Sequence, residues 1–242
     1  MWYLNILFIT GLIGISLRYI ILGKFEWNQL LILLLLPIAT FAAYLIRKWQ
    51  RKKDEKYEPS ETREQVWYTH LFERSYSGKK KIFKGNNIIG EYYRYFPHKW
   101  QYIVSDMLNN GKKDLYLNLN FSLHNISVQI FQPKIKWLKA NHEWNIIQDG
   151  VVIGNIKTDY SLKNTVKLRE GLILNYQNET YYFKSFGIGS ETKVFKEDEV
   201  IAFGKQSEFL RYQYEFEVKE GYEEIEPILL MTYILFNYVY NQ

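Results

Sequence analysis

The richest cluster of chemically capable side chains is Lys79-Lys80-Lys81-Ile82-Phe83-Lys84, four ammonium groups in six residues with an aromatic among them. Such a run suits anionic headgroups, each basic side chain contributing roughly 1 kcal/mol at an anionic surface. It equally suits a solvated hairpin, because charge runs commonly just face water. The other candidates are thinner. His70, His98, His124 and His142 stand 28, 26 and 18 residues apart, and the chain has no cysteine. No metal-binding spacing exists, so no metal ligand is nominated. Gly187-Ile188-Gly189-Ser190-Glu191-Thr192-Lys193 lacks the phosphate-loop order and reads as a hairpin turn. Glu197-Asp198-Glu199 and Glu223-Glu224-Glu226 read as a solvated turn and a helix start. Asn125-Ile126-Ser127 and Asn178-Glu179-Thr180 match the glycosylation sequon, which has no bearing on a cytoplasmic domain. No Ser/His/Asp set can be nominated, and the expectation is a chain with no catalytic residue and no cofactor.

The elements that must carry these groups divide the chain in two. Residues 1–56 hold eight Lys/Arg and three acidic side chains, whereas 57–242 hold 23 of each. The net charge of +5 therefore sits in the N-terminal quarter, and the neutral remainder lacks the electrostatic footprint of a nucleic-acid binder. The absence of cysteine excludes disulfides and fits a reducing compartment. Enrichment in Ile, Lys, Asn and Tyr points to a bacterial source.

Trp2 to Leu22 is apolar apart from Arg18 and a few small polar residues, and Leu30 to Ile46 carries no charge. Both runs approach the length of a membrane-spanning helix. Trp2, Trp27, Tyr44 and Trp49 lie where aromatic belts are expected. The rival reading of the first run, a signal peptide, lacks a basic start and a small-residue cleavage pattern. Residues 1–47 are thus expected to form a transmembrane hairpin, with helices at about 2–22 and 30–46. Residues 48–64 read as a basic juxtamembrane linker. Arg47, Lys48, Arg51, Lys52, Lys53 and Lys56 flank the second helix, against Arg18 and Lys24 on the other side. The positive-inside rule then places both termini and the following domain in the cytoplasm.

From Gln65 the period is two. Leu115, Leu117, Leu119, Phe121 and Leu123 alternate with polar residues, as do Tyr212, Tyr214, Phe216 and Val218. Turn signals at 85–87, 109–111, 149–150 and 178–179 separate short strand-like runs. Among these are 79–84, 88–96, 99–106, 134–139 and 142–148, and no convincing amphipathic helix lies between 65 and 218. The expectation is a closed antiparallel barrel of about twelve strands. The last stretch, Ile228 to Tyr240, follows an acidic run and Pro227, and has only Thr232 and Asn237 as strongly polar side chains. It reads as a helix over 224–240, apolar all round and about 20 Å long, too short for a bilayer and therefore lodged inside the barrel. A strand is the rival, though thirteen apolar residues are long for one. A membrane-anchored PH-like barrel is the rival fold, and about 180 residues are too many for one.

Trp144-Asn145-Ile146, Asp149-Gly150, Ile153-Gly154-Asn155-Ile156, Phe183-Lys184-Ser185-Phe186-Gly187 with Ser190 and Thr192, and Val200-Ile201-Ala202-Phe203-Gly204-Lys205 precede the hydrophobic helix. In order and spacing, residues 65–242 resemble tubby C-terminal-like domains, the group that includes the plant LURP-one-related proteins and the phospholipid scramblases. The resemblance implies a twelve-stranded barrel around a C-terminal helix. Tubby binds phosphoinositide through basic residues, and no stretch here carries those positions over. The functional expectation is a membrane-anchored cytoplasmic non-enzymatic module that binds a partner protein or anionic lipid headgroups at the inner leaflet, with Lys79, Lys80, Lys81 and Lys84 as the lipid contacts. The alternative is an enzyme acting on lipid or envelope intermediates, its site assembled by the fold.

Overall fold

The structure, a computed structural model, describes residues 2–60, 62–74, 77–107, 115–124, 126–133, 142–159, 170–185, 191–208 and 212–240. Two long helices, α1 (Trp2–Leu22) and α2 (Trp27–Glu55), form an antiparallel hairpin, and both are long and apolar enough to cross a membrane. Many of their large apolar side chains are outward and uncovered by the rest of the described chain. Gly11 lets the pair approach closely, since any Cβ there would overlap the Leu33 side chain.

Twelve strands follow: β1 (Trp67–His70), β2 (Lys80–Lys84), β3 (Asn87–Tyr95), β4 (Asn118–Leu123), β5 (Ile126–Phe131), β6 (Glu143–Gln148), β7 (Val151–Thr158), β8 (Glu170–Tyr176), β9 (Glu179–Ser185), β10 (Thr192–Lys196), β11 (Glu199–Glu208) and β12 (Gln213–Val218). Every neighbour pair is antiparallel, and β1 pairs with β12 to close the barrel. Closure removes the exposed edges that an open sheet must protect. Tight turns join β2 to β3, β6 to β7, β8 to β9 and β10 to β11, all at one end. Asp149-Gly150 and Gln177-Asn178 take positive φ at both central positions, the geometry that matches strand twist in two-residue hairpins.

The alternation seen in the sequence sorts the side chains. Leu119, Phe121, Val128, Ile130, Trp144, Ile146, Ile156, Leu172, Leu174, Phe183 and Val194 point inward and are fully buried. They close around α4 (Glu226–Tyr240), whose residues from Ile228 to Tyr238 are buried on every side. The helix begins two residues later than the acidic run suggests. Its two strongly polar side chains are satisfied within the helix: Thr232 Oγ1 donates to Ile228 O and Asn237 Nδ2 to Tyr233 O, each at 2.9 Å.

Two expectations need correction. Residues 99–106 are not a strand: α3 (Lys99–Met107) is a helix that packs against α1. Trp100, Ile103, Val104 and Met107 are spaced i, i+3, i+4, i+7, a helical period hidden by the strand-favouring composition of Trp-Gln-Tyr-Ile-Val. Nor are residues 48–55 of the expected 48–64 linker unstructured, because α2 continues unbroken to Glu55 and carries the basic residues up to Lys53 in its last turns. The expected strand at 134–139, the turn at 109–111, the sequon residue Asn125 and most of the Gly187–Ser190 turn lie outside the described residues.

Candidate functional site

The opposite end of the barrel, away from the tight turns, holds an unusual density of buried charge. It is built where the last turn of α2 meets the segment after β1. Asp54, 1% exposed, accepts from the backbone N–H of Phe72 (3.0 Å) and of Glu73 (2.9 Å), and its Oδ1 lies 2.5 Å from His70 Nδ1. Lys80, also 1% exposed, brings its ammonium to 3.7 Å from the same carboxylate. A carboxylate only accepts, so Nδ1 of His70 carries a proton. Burial of an ion costs several kcal/mol unless it is paired and hydrogen-bonded, and Asp54 is both.

A second layer lies deeper. Arg74 donates to the carbonyl of Asn237 (2.8 Å) and to the Tyr214 hydroxyl (2.6 Å), which places a cation at the C-terminal end of α4, where the helix dipole favours it. Arg94 donates to the Arg74 and Leu115 carbonyls. Burial pushes the Tyr238 phenol well up, and the charges of Glu73 and Asp54 push the same way while Arg94 and Arg74 oppose them.

Outside this buried layer runs a groove of about 390 Å³, lined by Trp49, Lys53, Tyr57, Glu58, Ser60, His70, Phe72, Tyr212 and Gln213. Its walls are aromatic: Trp49 meets Phe72 edge-on with centroids 5.6 Å apart, Phe72 lies 4.3 Å from Tyr212, and His70 stacks on Tyr57 at 4.9 Å. Lys53 lays its ammonium 4.1 Å above the Trp49 ring. Burial pushes the Tyr57 phenol up, with the nearby Glu215 carboxylate adding to the shift. A second groove of about 350 Å³ on the outer wall has its charges committed, with Arg63 bridging Glu215 (3.2 Å) and Glu217 (3.1 Å), and Lys205 at 3.4 Å from Glu215.

The lysine run does not form one patch. Strand alternation in β2 sends Lys80 inward with Ile82 and leaves Lys79 and Lys81 outward. Lys79 pairs with Glu91, and Lys84 pairs with Glu226 at 2.5 Å beneath the first turn of α4. Of the basic residues on α2, Lys48, Lys52, Lys53 and Lys56 are exposed, while Arg51 pairs with Glu55 at 3.5 Å and lays its stem against Gly78. The histidines separate too: His98 stacks on Trp100, His124 Nδ1 bonds Ile89 O, and buried His142 meets Gln132.

What sequence reading missed is the Asp54–His70 pair. Its one signal is the acidic pair Asp54-Glu55 within the otherwise basic run that ends α2. Comparison with protein-family models, with curated proteins and with solved structures found no match to this chain.

Proposed function

We propose that this chain is a membrane-anchored, cytoplasmic, non-enzymatic module of tubby-like fold, whose barrel stands against the inner leaflet and binds a partner protein or lipid headgroups there. The observation that carries the reading is the seat of Asp54. Because α2 runs without a break from its apolar stretch into a buried carboxylate held by four barrel groups, the barrel has one fixed pose relative to the hairpin. The lumen is filled by α4, and the two grooves described lie on the surface, which favours recognition over an enclosed reaction chamber. Exposed Lys48, Lys52 and Lys56 next to the apolar helices support both contact with anionic headgroups and the cytoplasmic placement. The strand order and buried terminal helix support the tubby-like assignment.

A second reading draws on His70, which Asp54 orients and which lines the same groove as Ser60, two groups that a hydrolase acting on lipid or envelope intermediates would use. Reporter fusions after Gln242 and within Lys24–Glu26 test the first reading together with membrane fractionation. A reporter after Gln242 active only outside the membrane, or a full-length protein recovered in the soluble fraction, would overturn it. Covalent labelling of Ser60 by a serine-directed phosphonate, lost in His70→Gln, would favour the second.

A further inference from the structure

The groove beside Asp54 carries one cation and one carboxylate that do not pair with each other. Lys53 and Glu58 both line it, yet their charged atoms are not within ion-pair distance, and among the described residues neither has another oppositely charged partner. Two opposite charges held apart in one aromatic-walled groove complement a dipolar ligand and not a simple anion.

Their order along the membrane normal is set by the chain. Trp49 lies three residues past Ile46, about 4.5 Å at 1.5 Å per residue. The headgroup layer is roughly 5–7 Å thick on each side of the hydrocarbon. Lys53 sits one turn further out, but helical side chains lean toward the helix N-terminus, which here is toward the bilayer. Its ammonium over the Trp49 ring is therefore at headgroup level. After Lys56 the chain turns away from the helix and runs along the barrel wall toward the tight-turn end, where Thr62 Oγ1 donates to Asn86 Oδ1 at 2.6 Å. Glu58 belongs to this outgoing stretch past the end of α2, which sets it further from the apolar helices than Lys53. A phospholipid headgroup presents its phosphate nearer the acyl chains and its terminal group further out.

We propose that the groove seats the headgroup of a zwitterionic phospholipid with a primary amine, that is, phosphoethanolamine. Its phosphate meets Lys53 and its ammonium meets Glu58. The Glu58 carboxylate adds selectivity, because it accepts hydrogen bonds as well as attracting a cation, so the preferred ligand brings a donor. An ammonium with three N–H groups does so and a quaternary choline does not. A glycerol headgroup can donate, but it leaves the Glu58 carboxylate without a cation.

This proposal rests on the hairpin lying in a membrane, and not on which leaflet the barrel faces. The test uses the full-length protein in detergent micelles, titrated with dioctanoyl phosphatidylethanolamine, phosphatidylcholine or phosphatidylglycerol, with bound lipid counted by native mass spectrometry. The expected result is retention of the ethanolamine lipid roughly tenfold over the other two, equivalent to about 1.4 kcal/mol. Glu58→Gln should erase that preference, Lys53→Ala should weaken all three lipids, and Lys53→Arg should restore binding. Both positions are exposed, so the variants keep the fold, and thermal melts check this. Equal retention of the three lipids by the wild type, or an ethanolamine preference that survives Glu58→Gln, overturns the proposal. A protein absent from the membrane fraction instead defeats the anchored-module reading, so the two failures are distinguishable.

Discussion

Asp54 at the end of α2 and His70 at the end of β1 are joined at 2.5 Å in the interior, and this contact makes the apolar hairpin and the barrel one body. At this point helix and barrel meet through polar groups, with the Trp49–Phe72 edge contact beside them. They share a carboxylate, its two backbone donors, an imidazole and an ammonium. Such a joint is specific in geometry and intolerant of losing a member.

Asp54→Ala should therefore cost about 3–5 kcal/mol, because it leaves Lys80 buried without its counter-charge and two backbone N–H groups without an acceptor. Chemical denaturation of the full-length protein measures this. Glu55→Ala, one residue on and exposed, should change stability by less than about 0.5 kcal/mol. Adding Lys80→Met to Asp54→Ala should recover part of the loss. A D54A protein that unfolds like the wild type would sink the account of the joint.

The lysines of the 79–84 run should divide by parity. Lys80→Ala is expected to destabilise the barrel, whereas Lys79→Ala and Lys81→Ala should stay within about 0.5 kcal/mol. The same division bears on lipid. With two outward lysines and not four, this loop offers an anionic surface about 2 kcal/mol, too little for detectable vesicle binding by itself. Salt-dependent fluorescence of a probe at exposed Ser77 that disappears only when Lys79 and Lys81 are both replaced would agree with this. Equal sensitivity to Lys80→Ala without loss of stability would not.

These residues also mark where sequence reading reached its limit. The barrel was legible because its rules are local: alternation picks the inward face of each strand, and two-residue turns announce themselves as Asp149-Gly150 does. α4 was legible because no polar stripe interrupts it. The Asp54–His70 pair was not, because it joins residues on either side of a stretch whose path only the closed barrel fixes. Charge counting likewise merged Lys79, Lys80, Lys81 and Lys84 into one patch. Strand pleat and the bulge between Ile82 and Phe83 distribute them over three environments. α3 was missed because its strand-favouring side chains outweighed a two-turn helical period.

Alkaline unfolding should be cooperative. Burial raises the phenol pKa of Tyr92, Tyr233 and Tyr238 above the ordinary value near 10. Below pH 10 these groups are protonated in both folded and unfolded chains, and the folded state keeps its full stability. Above it the unfolded chain sheds protons that the folded chain retains, so stability falls as pH rises. Absorbance at 295 nm should show a steep step for the buried tyrosines that coincides with loss of near-UV circular dichroism. Smooth ionisation of all 21 tyrosines near pH 10 with the dichroism intact would contradict the burial of these rings.

The sharpest test of the helix-in-barrel packing is Gly204 on β11. Gly204 pairs with Phe216 across the ladder, and the Phe216 ring stacks on Tyr233 of α4 with centroids 4.9 Å apart. Any Cβ at position 204 would overlap the Tyr233 ring itself, and the ring cannot retreat because it is 1% exposed and wedged between helix and wall. Gly204→Ala should therefore destabilise by about 1–3 kcal/mol, the usual cost of overpacking. Tyr233→Leu alone should also cost a few kcal/mol, since it removes buried aromatic volume. The double variant should cost clearly less than the two added together, because the shorter side chain vacates the space the new methyl enters. Urea melts of the four proteins give the coupling directly. Strict additivity would mean that β11 and α4 do not touch at this point, and the helix would then have to sit elsewhere than in the lumen.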